Sequence, residues 1–343
     1  MMKVIQLGIG GMGDFWLNIV RRSTDVEYAA YVEVSDEIAH QQIAKYDLDP
    51  ALIFHSLEEA LANVSADAVI NVTPPQFHLQ TCSVALDAGL PVLCEKPLAH
   101  TRAEAHALAD KAASTGVLLM VAQNYRYSNV AATVKSVLDS GELGAVSGVS
   151  VDFYKAPRLI GFREFMAHPL IVDMAIHHFD MLRYFLGSDP VHVYAHTWNP
   201  PWSWYKGDAS AAVIAAFANG AHVNYTGSWC AQGRETPWNA HWRFECERGI
   251  LLVENDQVYA QYVTGVEDRG GYYHTGYGNL MQIPPVEMPL QAQDYLLNEF
   301  VQAVKTGRTP ATAAQDNIRT IDFVFDAVDS ADSGAPIARK AAV

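Results

Sequence analysis

The chain has 343 residues, half of them hydrophobic and 18% charged, which is length enough for two ordinary domains and too apolar a composition for disorder. Its 38 acidic against 23 basic residues leave a formal charge of −15, and no Lys/Arg cluster offsets it, so nucleic acid and membrane surfaces are excluded as partners. No apolar run reaches about 18 residues, the start MMKVIQLGIGGMG lacks a signal-peptide progression, and Cys82, Cys94, Cys230 and Cys246 show no close pairing; the expectation is a soluble, cytoplasmic protein with reduced thiols.

From residue 3 to about residue 123, short runs rich in β-branched residues (KVIQL, EYAAYVEV, AVINV, PVLC, LLMVA) alternate with longer helical patterns. Nearly continuous apolar runs of this kind mark strands covered on both faces, so a doubly wound parallel sheet is predicted. After Asn124 the texture changes. A helix over about 129–140 leads into VSGVSVDFYK, and a second helix is predicted over about 171–186. Then come strands with turn signals: Asn219-Gly220 reads as a two-residue hairpin turn, and Asn255-Asp256 as the turn between FECERGILLV and QVYAQY. The second half is therefore predicted as an antiparallel or mixed sheet with few helices, and the fold class as α/β with a C-terminal α+β domain whose large sheet is mostly antiparallel. Two amphipathic helices close the chain, the first ended by Gly307.

Gly8-Ile9-Gly10-Gly11-Met12-Gly13 fits G-x-G-x-x-G, a weak pattern alone, but here it follows the first strand and opens a helix. A second strand ends near Glu33, about 20 residues after the last glycine, as a dinucleotide site requires. Glycines let the backbone approach a pyrophosphate, helix N–H groups bind it, and Glu33 accepts from the ribose hydroxyls. The Glu33 carboxylate repels a 2′-phosphate, and no Arg or Lys lies between it and Lys45, so NAD is preferred over NADP.

Thr73-Pro74-Pro75-Gln76-Phe77-His78 after the third strand and Glu95-Lys96-Pro97 after the fourth join this turn. Asn124-Tyr125-Arg126-Tyr127, Asp173-x-x-x-His177 and NEFVQAVKTGRTPATAAQDNIRTIDFVFDA follow in order. Together they span nearly the whole chain, which resembles the Gfo/Idh/MocA family of oxidoreductases, a family that includes inositol dehydrogenase and glucose-fructose oxidoreductase. The resemblance implies a Rossmann domain (1–124) and a substrate-binding, oligomerisation domain (125–343) with an open-faced sheet, the last helices packing back on the first domain and the active site lying between the two. It implies that Lys96 lies beside the nicotinamide and contacts the reacting hydroxyl, that Asp173 and His177 serve substrate binding and proton transfer, and that Pro97 follows a cis bond. It also implies a homodimer or homotetramer built through the sheet. One departure stands out: Phe165-Met166-Ala167-His168-Pro169 replaces a glycine-rich stretch before the helix, so the pocket wall differs.

Oxidising a secondary alcohol needs a base within hydrogen-bond reach while hydride leaves carbon. His177 has a suitable intrinsic pKa, and Lys96 can polarise the oxygen. Asp173 and His177, four residues apart, are expected on one helix face, opposite Ile176, Phe179, Leu182 and Leu186. Besides Gly8, Gly10, Gly11, Met12, Gly13 and Glu33, the expected cofactor contacts are Thr73, Pro74, His78, Glu95 and Lys96. Tyr154, Arg158, Arg163, His168 and Trp204 are candidates for a sugar pocket, with rings for apolar sugar faces and guanidinium groups for hydroxyls or carboxylates. Adjacent His177 and His178 point about 100° apart on a helix, so no metal is expected. The motifs leave three readings: a dehydrogenase acting on a sugar, sugar acid or cyclitol, a redox-neutral glycosidase or lyase that holds NAD tightly, and a non-catalytic sensor.

Overall fold

The computed structural model describes residues 1–339. The chain divides into two compact units, Met1–Asn124 with Leu290–Ile321, and Tyr125–Pro289 with the residues from Asp322 on.

In the first unit, strands β1 (Met2–Leu7), β2 (Val26–Val32), β3 (Ile53–Phe54), β4 (Ala68–Asn71), β5 (Val92–Cys94) and β6 (Leu119–Val121) alternate with helices. These are α1 (Met12–Arg22), α2 (Asp36–Tyr46), α3 (Leu57–Asn63), α4 (His78–Asp87) and α5 (Arg102–Thr115). Neighbouring strands pair in parallel in the order β3-β2-β1-β4-β5-β6. β4, β5 and β6 are buried along their whole length, as continuous apolar runs demand of strands covered on both faces. The order reverses between β1 and β4. In such a sheet the ligand crevice lies beyond the carboxyl ends of the strands at that reversal, which here are Leu7 and Asn71.

In the second unit, α6 (Asn129–Ser140) leads to β7 (Val146–Tyr154), and a π-helical turn, Leu170–Ala175, runs into α7 (Ile176–Leu186). Then follow β8 (Pro190–Trp198), β9 (Ser210–Phe217), β10 (His222–Ser228), β11 (His241–Cys246), β12 (Gly249–Glu254), β13 (Gln257–Asp268), β14 (Tyr273–Tyr277) and β15 (Met281–Gln282). Helix α8 (Ala292–Thr306) belongs to the first unit, α9 (Ala314–Ser333) begins in the first unit and ends in the second, and β16 (Ile337–Ala338) follows. The ten-stranded sheet has the order β14-β13-β12-β11-β7-β10-β9-β8-β16, with β15 on β13; all pairs are antiparallel except β7–β10.

One face of this sheet is the core. Val149, Val151 and Phe153 of β7 are buried and alternate with outward Ser150 and Asp152, the period-two pattern of a half-covered strand. On the buried face α7 packs His178 against Phe153 (4.8 Å between ring centroids), Phe185 against Trp242 (5.6 Å) and Phe179 against Phe323 of α9 (4.2 Å). The opposite face leaves Tyr194, Trp198 and Ile214 exposed, the open face expected from the sequence.

Both turn signals mark hairpins, with one correction. Asn255 and Asp256 have φ of 51° and 61° and join the paired residues Glu254 and Gln257, a two-residue turn with left-handed backbone at both positions. At Asn219-Gly220 the loop has three residues, because Phe217 N–H bonds to Ala221 C=O at 2.8 Å, and Gly220 alone is left-handed. Asn219 donates from its side chain to the Leu186 carbonyl. Gly307 ends α8 with φ of 69°, as expected.

Candidate active site

The glycine turn is shaped by contacts that forbid side chains. A Cβ on Gly8 would stand 2.9 Å from the Val72 carbonyl oxygen, and one on Gly13 would stand 2.2 Å from the Gly8 carbonyl oxygen, closer than real Cβ atoms come. Gly11, at φ of 43°, meets nothing within 4 Å. The first and last glycines thus close the turn, while space stays open at the middle. Helix α1 begins there with no side-chain cap, so its leading N–H groups suit an anion. Gly10 packs on Ile38 of α2, and Met12 is exposed beside it.

Two buried polar residues outside the sequence motifs hold the strand ends, Gln6 the glycine turn and Asn71 the turn after β4. Gln6, fully buried, donates from Nε2 to the carbonyls of Gly8 (3.0 Å) and Gly13 (2.9 Å) and accepts from Tyr28 Oη at 2.5 Å. Asn71, also fully buried, accepts at Oδ1 from Thr73 N–H and Thr73 Oγ1 and donates to Thr81 Oγ1. The only local signal was a polar residue inside each apolar strand run. Glu33 lies at the end of β2, but its carboxylate is tied to the loop, with Oε2 accepting from Ile9 N–H (3.1 Å) and Oε1 from Ser35 N–H (3.0 Å). It keeps further acceptor sites for ribose hydroxyls.

At the other strand ends, Thr73 and Lys96 are half-buried, Pro74 is exposed, and the Lys96–Pro97 bond is cis. Glu95 is placed by the fold: Oε1 accepts from Trp16 Nε1 at 2.8 Å and Oε2 from Lys96 N–H at 3.0 Å. It braces the Lys96 turn against α1. His78 corrects the expectation of a cofactor contact. Its side chain is fully buried, with Nδ1 3.0 Å from the Pro97 carbonyl and Nε2 2.7 Å from the Thr73 carbonyl. Burial holds its pKa below the usual value, and its work is to join the two turns rather than to face a ligand.

In the second unit the structure pairs several candidates. Arg163 donates from Nε to Asp173 Oδ2 at 2.6 Å, and Asp173 and His177 are both nearly buried. Asp173 lies in the π-helical turn and His177 in α7, so the simple four-residue α-helical face expected for them is interrupted by a wider turn, a feature frequent at functional sites. The expected apolar opposite side is also too narrow a description: His178, Asp180 and Arg183 are buried as well, and α7 is enclosed around its whole circumference. His178, between Tyr225 Oη and the Trp238 carbonyl, is pushed down to about 4 by burial. Arg126 and Asp180 form a buried bidentate pair, Nε at 2.5 Å and Nη2 at 2.7 Å.

Arg158 lies over the Trp204 ring at 5.0 Å, which joins two more candidates. His168 sits apart from them, with Nε2 2.9 Å from Asp332 of α9. Tyr154 lies at the end of β7. Its strand parity puts it with Asp152 on the open face, where both line a cleft with His241 and Glu254, whereas α7 packs on the other face. Alternation along β7 assigns Phe153, not Tyr154, to the side of His178. Among the described residues no group of three or more His, Cys, Asp or Glu is placed to hold a metal ion.

The family model described as an oxidoreductase family with an NAD-binding Rossmann fold matches residues 2–123, and that of the GFO/IDH/MocA C-terminal domain matches residues 131–252. The chain belongs to the Gfo/Idh/MocA oxidoreductase family. As a member it is an NAD(P)-dependent oxidoreductase with an NAD-binding Rossmann fold over residues 2–123. The chain is 28% identical to the uncharacterized protein y4oX of Sinorhizobium fredii, covering 98% of this chain and 95% of that one. It is 27% identical to a scyllo-inositol 2-dehydrogenase (NAD(+)) of Bacillus subtilis, covering 96% and 94%. In fold it is similar to an Agrobacterium radiobacter oxidoreductase solved with NAD+, L-tartaric acid and magnesium, with a TM-score of 0.83, 19% identity and 98% of both chains covered. No helix among the described residues is long and apolar enough to cross a membrane.

Proposed function

We propose that this protein is a dehydrogenase that oxidises a secondary alcohol of a sugar, sugar acid or cyclitol, with NAD as the electron acceptor. The observation that carries the reading is the first unit's crevice end: an uncapped helix N-terminus above an open glycine turn, with Lys96 braced by Glu95 at the end of β5. The Bacillus relative's name and the tartrate in the Agrobacterium structure support a polyhydroxylated substrate.

Bound NAD supplies the hydride acceptor, so the alcohol yields a ketone, NADH and one proton. Lys96 donates a hydrogen bond to the alcohol oxygen and favours its negative charge as the O–H bond breaks. His177 takes the proton as general base. Asp173, neutralised by Arg163, positions the substrate beside that base rather than acting as a second one. Gly10, Gly11, Met12 and Gly13 present backbone to the pyrophosphate, while Glu33 selects the free 2′-hydroxyl of NAD over a 2′-phosphate. Thr73 and Pro74 border the nicotinamide half. Arg158 and Trp204 are assigned to the substrate pocket as a stacked pair. The open sheet face, with Tyr194, Trp198 and Ile214, is assigned to homodimer or homotetramer contacts, and the four free thiols suit the reducing cytoplasm. Absorbance at 340 nm, read with NAD and a panel of inositols, aldoses and sugar acids, tests the reaction; light scattering on the purified protein tests the assembly.

A further inference from the structure

His177 does not stand alone at the start of α7. Its imidazole lies flat against the Tyr125 ring, with centroids 4.2 Å apart and planes inclined by 22°. Tyr125 belongs to the short 3₁₀ turn Asn124–Arg126. The next residue, Arg126, grips Asp180 through the buried bidentate pair described above. Asp180 follows His177 by three residues, close to one turn of helix. The ion pair therefore clamps the 124–126 turn onto α7 at the level where the two rings overlap. The Tyr125 ring also meets His178 edge-on at 6.2 Å and 87°, so it is bounded on two sides by α7. Desolvation raises the Tyr125 hydroxyl above its ordinary pKa, with Asp256 and Asp173 acting in the same direction, and the ring stays neutral at working pH.

We propose that Tyr125 is a positioning residue for His177, fixing the plane of the imidazole and favouring through its π face the imidazolium that forms when His177 takes the substrate proton. This rests on the assignment of proton transfer to His177. The charged or titratable groups of this neighbourhood include Asp173, Asp180 and Arg183 on the same helical run, Arg163 and Arg126 paired with the two carboxylates, Asp256, which acts on Tyr125, and His178. Asp173 and Asp180 are each matched by a guanidinium, and burial lowers the pKa of His178. The stacked aromatic face acts on the protonation of His177 alongside these charges.

The test is the full-length protein in three forms: wild type, Tyr125→Leu, which removes the ring, and Tyr125→Phe, which keeps the ring and removes the hydroxyl. Tyr125→Met replaces the Leu variant if that one fails to fold. Two readouts are needed, the titration of the His177 ring by NMR with labelled histidine, assigned with His177→Gln, and the pH profile of kcat/KM. The ring-less variant is expected to titrate at His177 about half to one pH unit lower, with the acid limb of kcat/KM moving the same way. Its plateau kcat/KM should fall about tenfold, with the loss in kcat rather than KM. Tyr125→Phe should restore both within about twofold. An unchanged titration in the ring-less variant overturns the proposal, as does a Phe variant no better than Leu, which would assign the effect to the hydroxyl. If His177→Gln keeps wild-type activity, the underlying assignment fails instead; a shifted titration alongside that result would retain the stacking and remove its catalytic meaning.

Discussion

Trp16 Nε1 on α1 donates to Glu95 Oε1 at 2.8 Å across 79 residues of sequence, and the second oxygen of that carboxylate receives the Lys96 backbone N–H. One side chain thus couples α1, whose N-terminus is assigned to the pyrophosphate, to the turn that carries Lys96. Trp16 is itself buried, so its ring packs while its N–H aims the carboxylate.

Replacing Trp16 by Phe keeps most of the apolar volume and removes the donor. A buried hydrogen bond to a charged group is worth about 1.5–3 kcal/mol, and a loss of that size is expected in denaturant unfolding. NADH affinity, followed by fluorescence, should weaken several-fold because the Glu95–Lys96 turn loses its brace. A variant as stable as wild type would show the bond to be replaceable.

Glu33 decides between the two nicotinamide cofactors in this account. Glu33→Ser removes the charge and leaves a hydroxyl able to bond the Ser35 and Ile9 amides only in part. The ratio of kcat/KM for NAD over NADP should fall at least tenfold. An unchanged ratio would place the selectivity elsewhere.

His178 gives a pH signature of folding. Its folded pKa is depressed to about 4 from an ordinary value of 6.5, because burial disfavours the charged ring. A depressed group contributes stability that is present above the unfolded pKa and lost as pH falls through the folded one. The window is therefore about pH 6.5 to 4, and the contribution is on the order of 3 kcal/mol. Comparing unfolding free energies at pH 7 and pH 4.5 for wild type and His178→Gln checks this: the variant starts less stable and loses less on acidification. Equal losses would mean that His178 is protonated with little cost.

Arg126→Met leaves Asp180 charged, buried and without its bidentate partner. Breaking a buried pair on one side costs about 3–5 kcal/mol, measurable as a lowered denaturation midpoint, and Asp180→Asn combined with Arg126→Met should recover part of it.

The doubly wound sheet was legible in the sequence because its signals are local: apolar runs alternating with helical patterns, and a glycine turn. The Asn255-Asp256 hairpin was legible for the same reason, since both residues tolerate the left-handed backbone that they adopt. The Asn219-Gly220 signal marks the turn but not its length, which the Phe217–Ala221 pairing sets at three residues. The candidate site was legible as a set of residues but not as a geometry. Period-two alternation could have moved Tyr154 to the open face, whereas the wider turn at Asp173 leaves no periodic mark. Gln6, Asn71 and Trp16 act through partners remote in sequence or through backbone carbonyls, which no motif encodes. Burial of His78 followed from the meeting of two turns that the sequence holds 19 residues apart.

The central claim is that Lys96 and bound NAD together oxidise a polyol. The measurement that tests it most directly is absorbance at 340 nm for wild type and Lys96→Ala, with NAD and a panel of inositols, aldoses and sugar acids, beside NADH binding by both proteins. The account predicts that absorbance rises with one substrate class in wild type, and that Lys96→Ala reduces the rate at least a hundredfold while still binding NADH. A panel that stays silent although NADH binds, or a Lys96→Ala enzyme as fast as wild type, would contradict it.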